Sequence, residues 1–223
     1  RCPRKSIRPW HAGPRLAGAR ESEVLGLDPA QLLFTAAALL VAATVHEYAH
    51  AYAAVQLGDP TPRWLGRLTL NPLAHLDPLG TVLLLLVGFG WAKPVPVNAA
   101  HFQDPRRGIL LVAVAGPLAN VCFVAILGAL YRLGLVPEGG WLASLWFRML
   151  YVNAVLAVFN LLPIPPLDGS RILGALLRGE AENAYTRLQP YGGLLLLVLL
   201  ATGWLGPLLR GPVVWLVRWA VGA

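Results

Sequence analysis

The sequence predicts an all-α polytopic membrane protein of five to six helical segments, with one re-entrant segment and short strands at the membrane edge. Three observations predict it. Of the 223 residues, 57% are hydrophobic and only 13% are charged, whereas a soluble domain has about half and about a quarter. The mean hydropathy is +0.60, which excludes a disordered chain. The apolar residues gather in runs close to the roughly 20 residues that a helix needs to cross a bilayer. With only Cys2 and Cys122, a disulfide scaffold is excluded as well.

The elements follow in order. Residues 1–28 carry six of the 18 Lys and Arg and read as a basic, flexible extension. Beside apolar spans such charge points to anionic lipid rather than nucleic acid. No compact apolar stretch with a small-residue cleavage site precedes residue 29, so no cleavable signal peptide is expected. The first span covers about 31–57, with Asp28 and Pro29 as start signals and Gly58, Asp59 and Pro60 as the stop. Residues 59–78 form a polar loop. The run 79–90 is too short to span as a straight helix and is expected to be re-entrant. Prolines after it forbid a regular helix, and the pieces RLTL (67–70) and PVPV (94–97) are expected as strands. The third run is 109–131, the fourth 142–162, and two shorter ones follow at 191–205 and 212–222.

Inside the first span stands His46-Glu47-Tyr48-Ala49-His50. Residues four apart share a helix face, so both imidazoles can reach one Zn²⁺, with Glu47 beside them as general base. With five His and six Glu in the chain, chance supplies roughly 0.003 such matches, so coincidence is a weak rival. Ionisable groups in a transmembrane helix are costly and need a shared reason. A metal is one.

A catalytic zinc takes three protein ligands and a water. Candidates for the third ligand are His75, His101, Asp77, Asp104 and Asp168. Asp168 stands out, because it follows a span in PIPPLDG (163–169), where proline stops the helix and Gly169 permits a turn. The competing reading is a cap for the helix starting at Ser170. Depth favours the metal. His50 lies near the end of span one and Asp168 just past span four. The two ends meet on one side if 79–90 does not cross.

Together these blocks resemble the site-2 protease family of intramembrane zinc metalloproteases, in its short prokaryotic form. The match runs through HEYAH, NPLAHLDPLG (71–80), GWAKPVPVN (90–98), AGPLAN (115–120) and NLLPIPPLDGSRIL (160–173), over about 30–175. The resemblance implies one Zn²⁺ per chain held by His46, His50 and Asp168, with Glu47 as the catalytic base. It implies that Asn120 lines the site, where its amide could bind substrate backbone or help hold an oxyanion. Close helix packing is the other reading of Gly116 to Asn120. The expected domains are a membrane-embedded metalloprotease core over 29–189 and, outside the resemblance, short transmembrane segments over 190–223.

The implied partners are transmembrane protein or peptide substrates and the lipid bilayer, with no nucleic acid. A substrate helix must unwind before cleavage, and an edge at 65–70 or 93–98 could hold it by strand addition. Five Lys and Arg in 58–108 and three in 163–189, against none in 133–141, orient the active site toward the cytoplasm of the cell membrane. The charge of 1–28 votes the other way. The alternative function is a non-catalytic zinc-binding membrane protein, either a transporter or an inactive protease relative acting as a binding partner. A transporter would spread its ligands along a path, and an inactive relative would have lost Glu47 or a ligand.

Overall fold

The structure is a computed structural model that describes residues 29–80, 92–137 and 139–222. The expected basic extension at 1–28 and most of the expected re-entrant run at 79–90 lie outside the described residues.

Eight α-helices occur among the described residues: α1 (Pro29–Gln56), α2 (Thr61–Trp64), α3 (Pro105–Arg132), α4 (Gly140–Asn160), α5 (Asp168–Leu176), α6 (Gly179–Leu188), α7 (Gly192–Ala201) and α8 (Leu205–Val221). α3 starts where Asp104 accepts hydrogen bonds from the backbone N–H groups of Arg106 and Arg107, both at 3.0 Å, with Pro105 in the first turn. That is the side-chain cap a helix start needs. Among the described residues, α3 and α4 are each long and apolar enough to cross a membrane. The segments Gly179–Ala201 and Leu205–Val221 qualify only as a pair bent by 86°. α1 equals α3 in length, at 28 residues. The chain is therefore an all-α membrane protein.

α1, α3 and α4 pack against one another, and α8 lies on α3 and α4. The largest apolar cluster joins Val124 and Leu127 of α3, Leu150 and Ala154 of α4, and Val213, Leu216 and Ala220 of α8. α1 meets α4 through the fully buried Ala38 and Ala42. In a bilayer, small residues such as these allow the close helix approach that replaces a hydrophobic driving force. Gly128 serves the same end, because a Cβ there would collide with the Ala220 backbone carbonyl.

Two expectations are corrected. No strand forms among the described residues, and the antiparallel bridge found there, Leu76 with Ala92, lies outside both expected pieces. Pro94 and Pro96 offer no N–H to a ladder. Within 67–70 the polar groups turn inward: Arg67 bonds the Ala74 carbonyl, Thr69 accepts from the Asn71 N–H, and the Thr69 carbonyl bonds His75. The last helix is also longer than expected. α8 begins at Leu205 and runs through Pro212 rather than starting there. Burial of Leu205, Val213, Leu216 and Ala220 along one face offsets the hydrogen bond that Pro212 removes.

Gly128→Leu is expected to lower thermal stability in detergent by about 1–3 kcal/mol, the usual cost of overpacking. Gly206→Ala, at a position surrounded by open space, is expected to leave the melting temperature unchanged or slightly raised. Equal melting temperatures for both variants would show that the α3–α8 approach is not tight.

Candidate metal centre and active site

α1 places His46 and His50 one turn apart on the face turned to α3. Both are buried. α5 starts beneath them and carries Asp168 in its first turn. Asp168 Oδ2 lies 3.0 Å from His46 Nε2 and 3.1 Å from His50 Nε2, and the two Nε2 atoms are 3.0 Å apart. These three residues are the group among the described residues whose ligand atoms could hold one metal ion.

The chemistry of the donor set fits a cation. His50 Nδ1 donates to the Val112 carbonyl at 2.7 Å, and His46 Nδ1 donates to Asn120 Oδ1 at 2.6 Å. The Asn120 orientation is set by its Nδ2, which donates to the Ala42 carbonyl at 3.1 Å and to Asn153 Oδ1 at 2.9 Å. Each Nδ1 therefore carries the ring proton, and each Nε2 presents a lone pair. Two lone pairs and a carboxylate oxygen at 3 Å repel one another unless a positive charge lies among them. Space for that charge comes from Gly116, where a Cβ would collide with His50 Nε2 and His46 Cε1.

Local sequence explains the placement of Asp168. Leu161 and Leu162 end α4, and a Cβ on Gly169 would strike their carbonyls, so only glycine lets the chain fold back so closely. The Tyr185 hydroxyl donates to the carbonyls of Pro163 and Ser170. At the other end of α5, Arg106 Nε donates to the Ala175 carbonyl at 2.6 Å, and its guanidinium pairs with Glu182 at 3.2 Å. The competing reading of Asp168 as a cap does not apply, because Asp168 is itself the first residue of the helix.

Glu47 sits beside the group, with its Oε2 accepting the Val95 N–H at 3.1 Å. Val95 belongs to the extended stretch 93–98, anchored at both ends. Lys93 N–H donates to the His75 carbonyl at 2.8 Å, and Asn98 N–H donates to Asp59 Oδ2 at 2.7 Å. Asp59 is fully buried and also accepts from Thr61 and His101. Burial alone would raise its pKa, but hydrogen bonds from Thr61, His101 and the Asn98 backbone outweigh it and lower the carboxyl below its ordinary value.

The other candidate ligands go elsewhere. His75 is buried against the Thr69 carbonyl, His101 pairs with Asp59, Asp77 accepts from the Gly80 N–H, and Asp104 caps α3. Asn120 has no exposed surface, and both of its amide hydrogens and its oxygen are taken up inside the protein. It touches His46 rather than open space where a substrate could lie. Sequence reasoning missed Asn153, Asp59 and Arg106. An Asn in the middle of an apolar run was the one signal available for Asn153.

Gly116→Ala is expected to weaken divalent-metal binding by about 10-fold or more, as displaced ligand geometry does, with helical circular dichroism unchanged. Dialysis against zinc followed by metal analysis measures it. Undiminished binding would mean that the imidazoles do not need the Gly116 space.

Comparison with known proteins follows the same direction. The family described as Peptidase family M50 matches residues 130–200. "Putative zinc metalloprotease YwhC" of Bacillus subtilis (strain 168) is 42% identical over 174 residues, covering 74% of this chain and 78% of the relative. "Putative zinc metalloprotease Rip2" of Mycobacterium tuberculosis (strain ATCC 25618 / H37Rv) is 34% identical over 185 residues, covering 79% and 70%. The Mycolicibacterium smegmatis protein of the same name is 33% identical over 170 residues, covering 73% and 64%. No solved structure is significantly similar. On its sequence relatives, the chain belongs to peptidase family M50, the site-2 proteases.

Proposed function

We propose that this chain is an intramembrane zinc metalloendopeptidase that hydrolyses peptide bonds of transmembrane substrates. The observation that carries the proposal is the convergence of His46 Nε2, His50 Nε2 and Asp168 Oδ2 within 3.0–3.1 Å of one another, with Glu47 next in sequence to His46. A zinc ion bound there supplies Lewis acidity toward the scissile carbonyl and lowers the pKa of a water.

The chain's own residues do the rest. Asn120 and the Val112 carbonyl hold the ring protons on Nδ1, so both Nε2 atoms stay available as ligands. Glu47 takes the proton from the attacking water and later delivers it to the leaving amine. The Val95 N–H fixes the direction of the Glu47 carboxylate and leaves its second oxygen for that transfer. His46, His50, Asp168 and Asn120 are buried, and low local dielectric strengthens their interactions. Asn120 acts on His46 in this scheme rather than on substrate. The loop charges described above support an active site toward the cytoplasmic side.

The test uses purified protein and a panel of transmembrane peptides, comparing wild type with Glu47→Gln. Equal zinc content is expected in both, with cleavage reduced at least ~100-fold in the variant, the lower range for loss of a general base. Cleavage that survives in Glu47→Gln would remove Glu47 from the mechanism. Zinc without cleavage of any peptide by wild type would favour the non-catalytic zinc-binding alternative.

A further inference from the structure

Asn153 lies midway along α4 with no exposed surface, flanked in sequence by Val152 and Ala154. A buried amide in such surroundings is costly unless its polar atoms have partners. Both do. Asn153 Nδ2 donates to the Met149 carbonyl at 2.8 Å, and Asn153 Oδ1 accepts from Asn120 Nδ2 at 2.9 Å.

We propose that Asn153 is a positioning residue for His46, acting through the Asn120 amide. The argument is one of direction. The chain of hydrogen bonds starts at two backbone carbonyls, Met149 and Ala42, which can only accept. The Met149 carbonyl orients Asn153 so that its oxygen faces α3. That oxygen, with the Ala42 carbonyl, takes both hydrogens of Asn120 Nδ2. Asn120 Oδ1 is then left facing His46, where it can only accept the Nδ1 proton. A reversed Asn120 would set its oxygen against two other oxygens and its N–H groups against the Nδ1 proton. Asn153 therefore helps decide which His46 nitrogen carries a proton, and so which carries a lone pair for a metal. The relay crosses α4, α3 and α1 with uncharged groups, avoiding the cost of an ion inside the bilayer.

This inference rests on the metal-centre reading, and the experiment separates the two. Zinc affinity of metal-free protein is measured by competition with a chromophoric chelator. The set is wild type, Asn153→Leu, Asn120→Leu, the double variant and Asn153→Asp. Asn153→Leu is expected to bind zinc about 10-fold more weakly, within the range for loss of an outer partner of a ligand. The double variant is expected to bind no more weakly than Asn120→Leu alone, because Asn153 reaches His46 only through Asn120. Asn153→Asp, protonated at this buried position, keeps an acceptor oxygen for Asn120 and an O–H donor for the Met149 carbonyl, and is expected to stay within about 3-fold of wild type. Circular dichroism and the metal-free melting temperature identify any variant that fails to fold, and Asn153→Ala then replaces Asn153→Leu in the cycle. Unchanged affinity in Asn153→Leu, multiplied losses in the double variant, or equal losses in the Asp and Leu variants would overturn the positioning role. Wild type that binds no zinc would instead overturn the metalloprotease reading itself.

Discussion

Three electron-pair donors held at mutual distances near 3 Å inside an apolar helix bundle are the constraint on which the rest of this structure depends. Without a cation they repel, and burial of all three residues leaves that repulsion little screened by bulk solvent. Each neighbouring feature acts to keep them together. Acceptors on α3 draw the imidazole protons to Nδ1. Gly116 leaves the volume a side chain would fill. Gly169 lets α5 start directly under α4, and Arg106 ties the far end of α5 to α3. α3 thus braces both imidazoles, and the end of α4 packs against the start of α5 that carries Asp168.

Energetics and function meet in the small residues. Ala38, Ala42, Gly116 and Gly128 contribute little apolar area, yet they permit the backbone approach that gives helices their contact in lipid. The same approach brings the α3 face within hydrogen-bonding reach of His46 and His50. The motif at 116–120 follows the close-packing reading, with its asparagine turned to His46 rather than to open space. Gly116 makes room for the imidazoles, and Asn120 orients one of them.

The candidate metal ligands were legible because their chemistry is periodic or punctuated. His46 and His50 obey the helical spacing, and Asp168 sits in a run of prolines and glycine just after a span. The polar framework was less legible, because its hydrogen bonds join residues far apart in sequence. Asn120 pairs with His46 across 74 positions, and Asn98 with Asp59 across 39. No local pattern announces such partners. Strand propensity at 67–70 and 94–97 gave way to loop contacts and proline chemistry, and Pro212 was overridden by packing of α8. At 67–70 and Pro212 tertiary contacts outweighed a local preference, whereas at 94–97 the prolines themselves withheld the ladder donors.

In this account the protein is a metal-binding helix bundle whose proposed catalytic group, Glu47, is aimed by the Val95 backbone amide of the 93–98 stretch. Asp59 is the anchor of that stretch, a buried carboxylate at the end of α1 that binds the Asn98 backbone and the His101 side chain. The central claim is that His46, His50 and Asp168 ligate one metal ion. The most direct measurement is the zinc X-ray absorption spectrum of the purified protein, compared with Asp168→Ala. The account predicts about one zinc per chain, with two imidazole nitrogens and the remaining donors oxygen, at about 2.0–2.1 Å, and loss or weakening of the site in the variant. A sulfur donor in the spectrum, or a metal shell unaltered by Asp168→Ala, would contradict it.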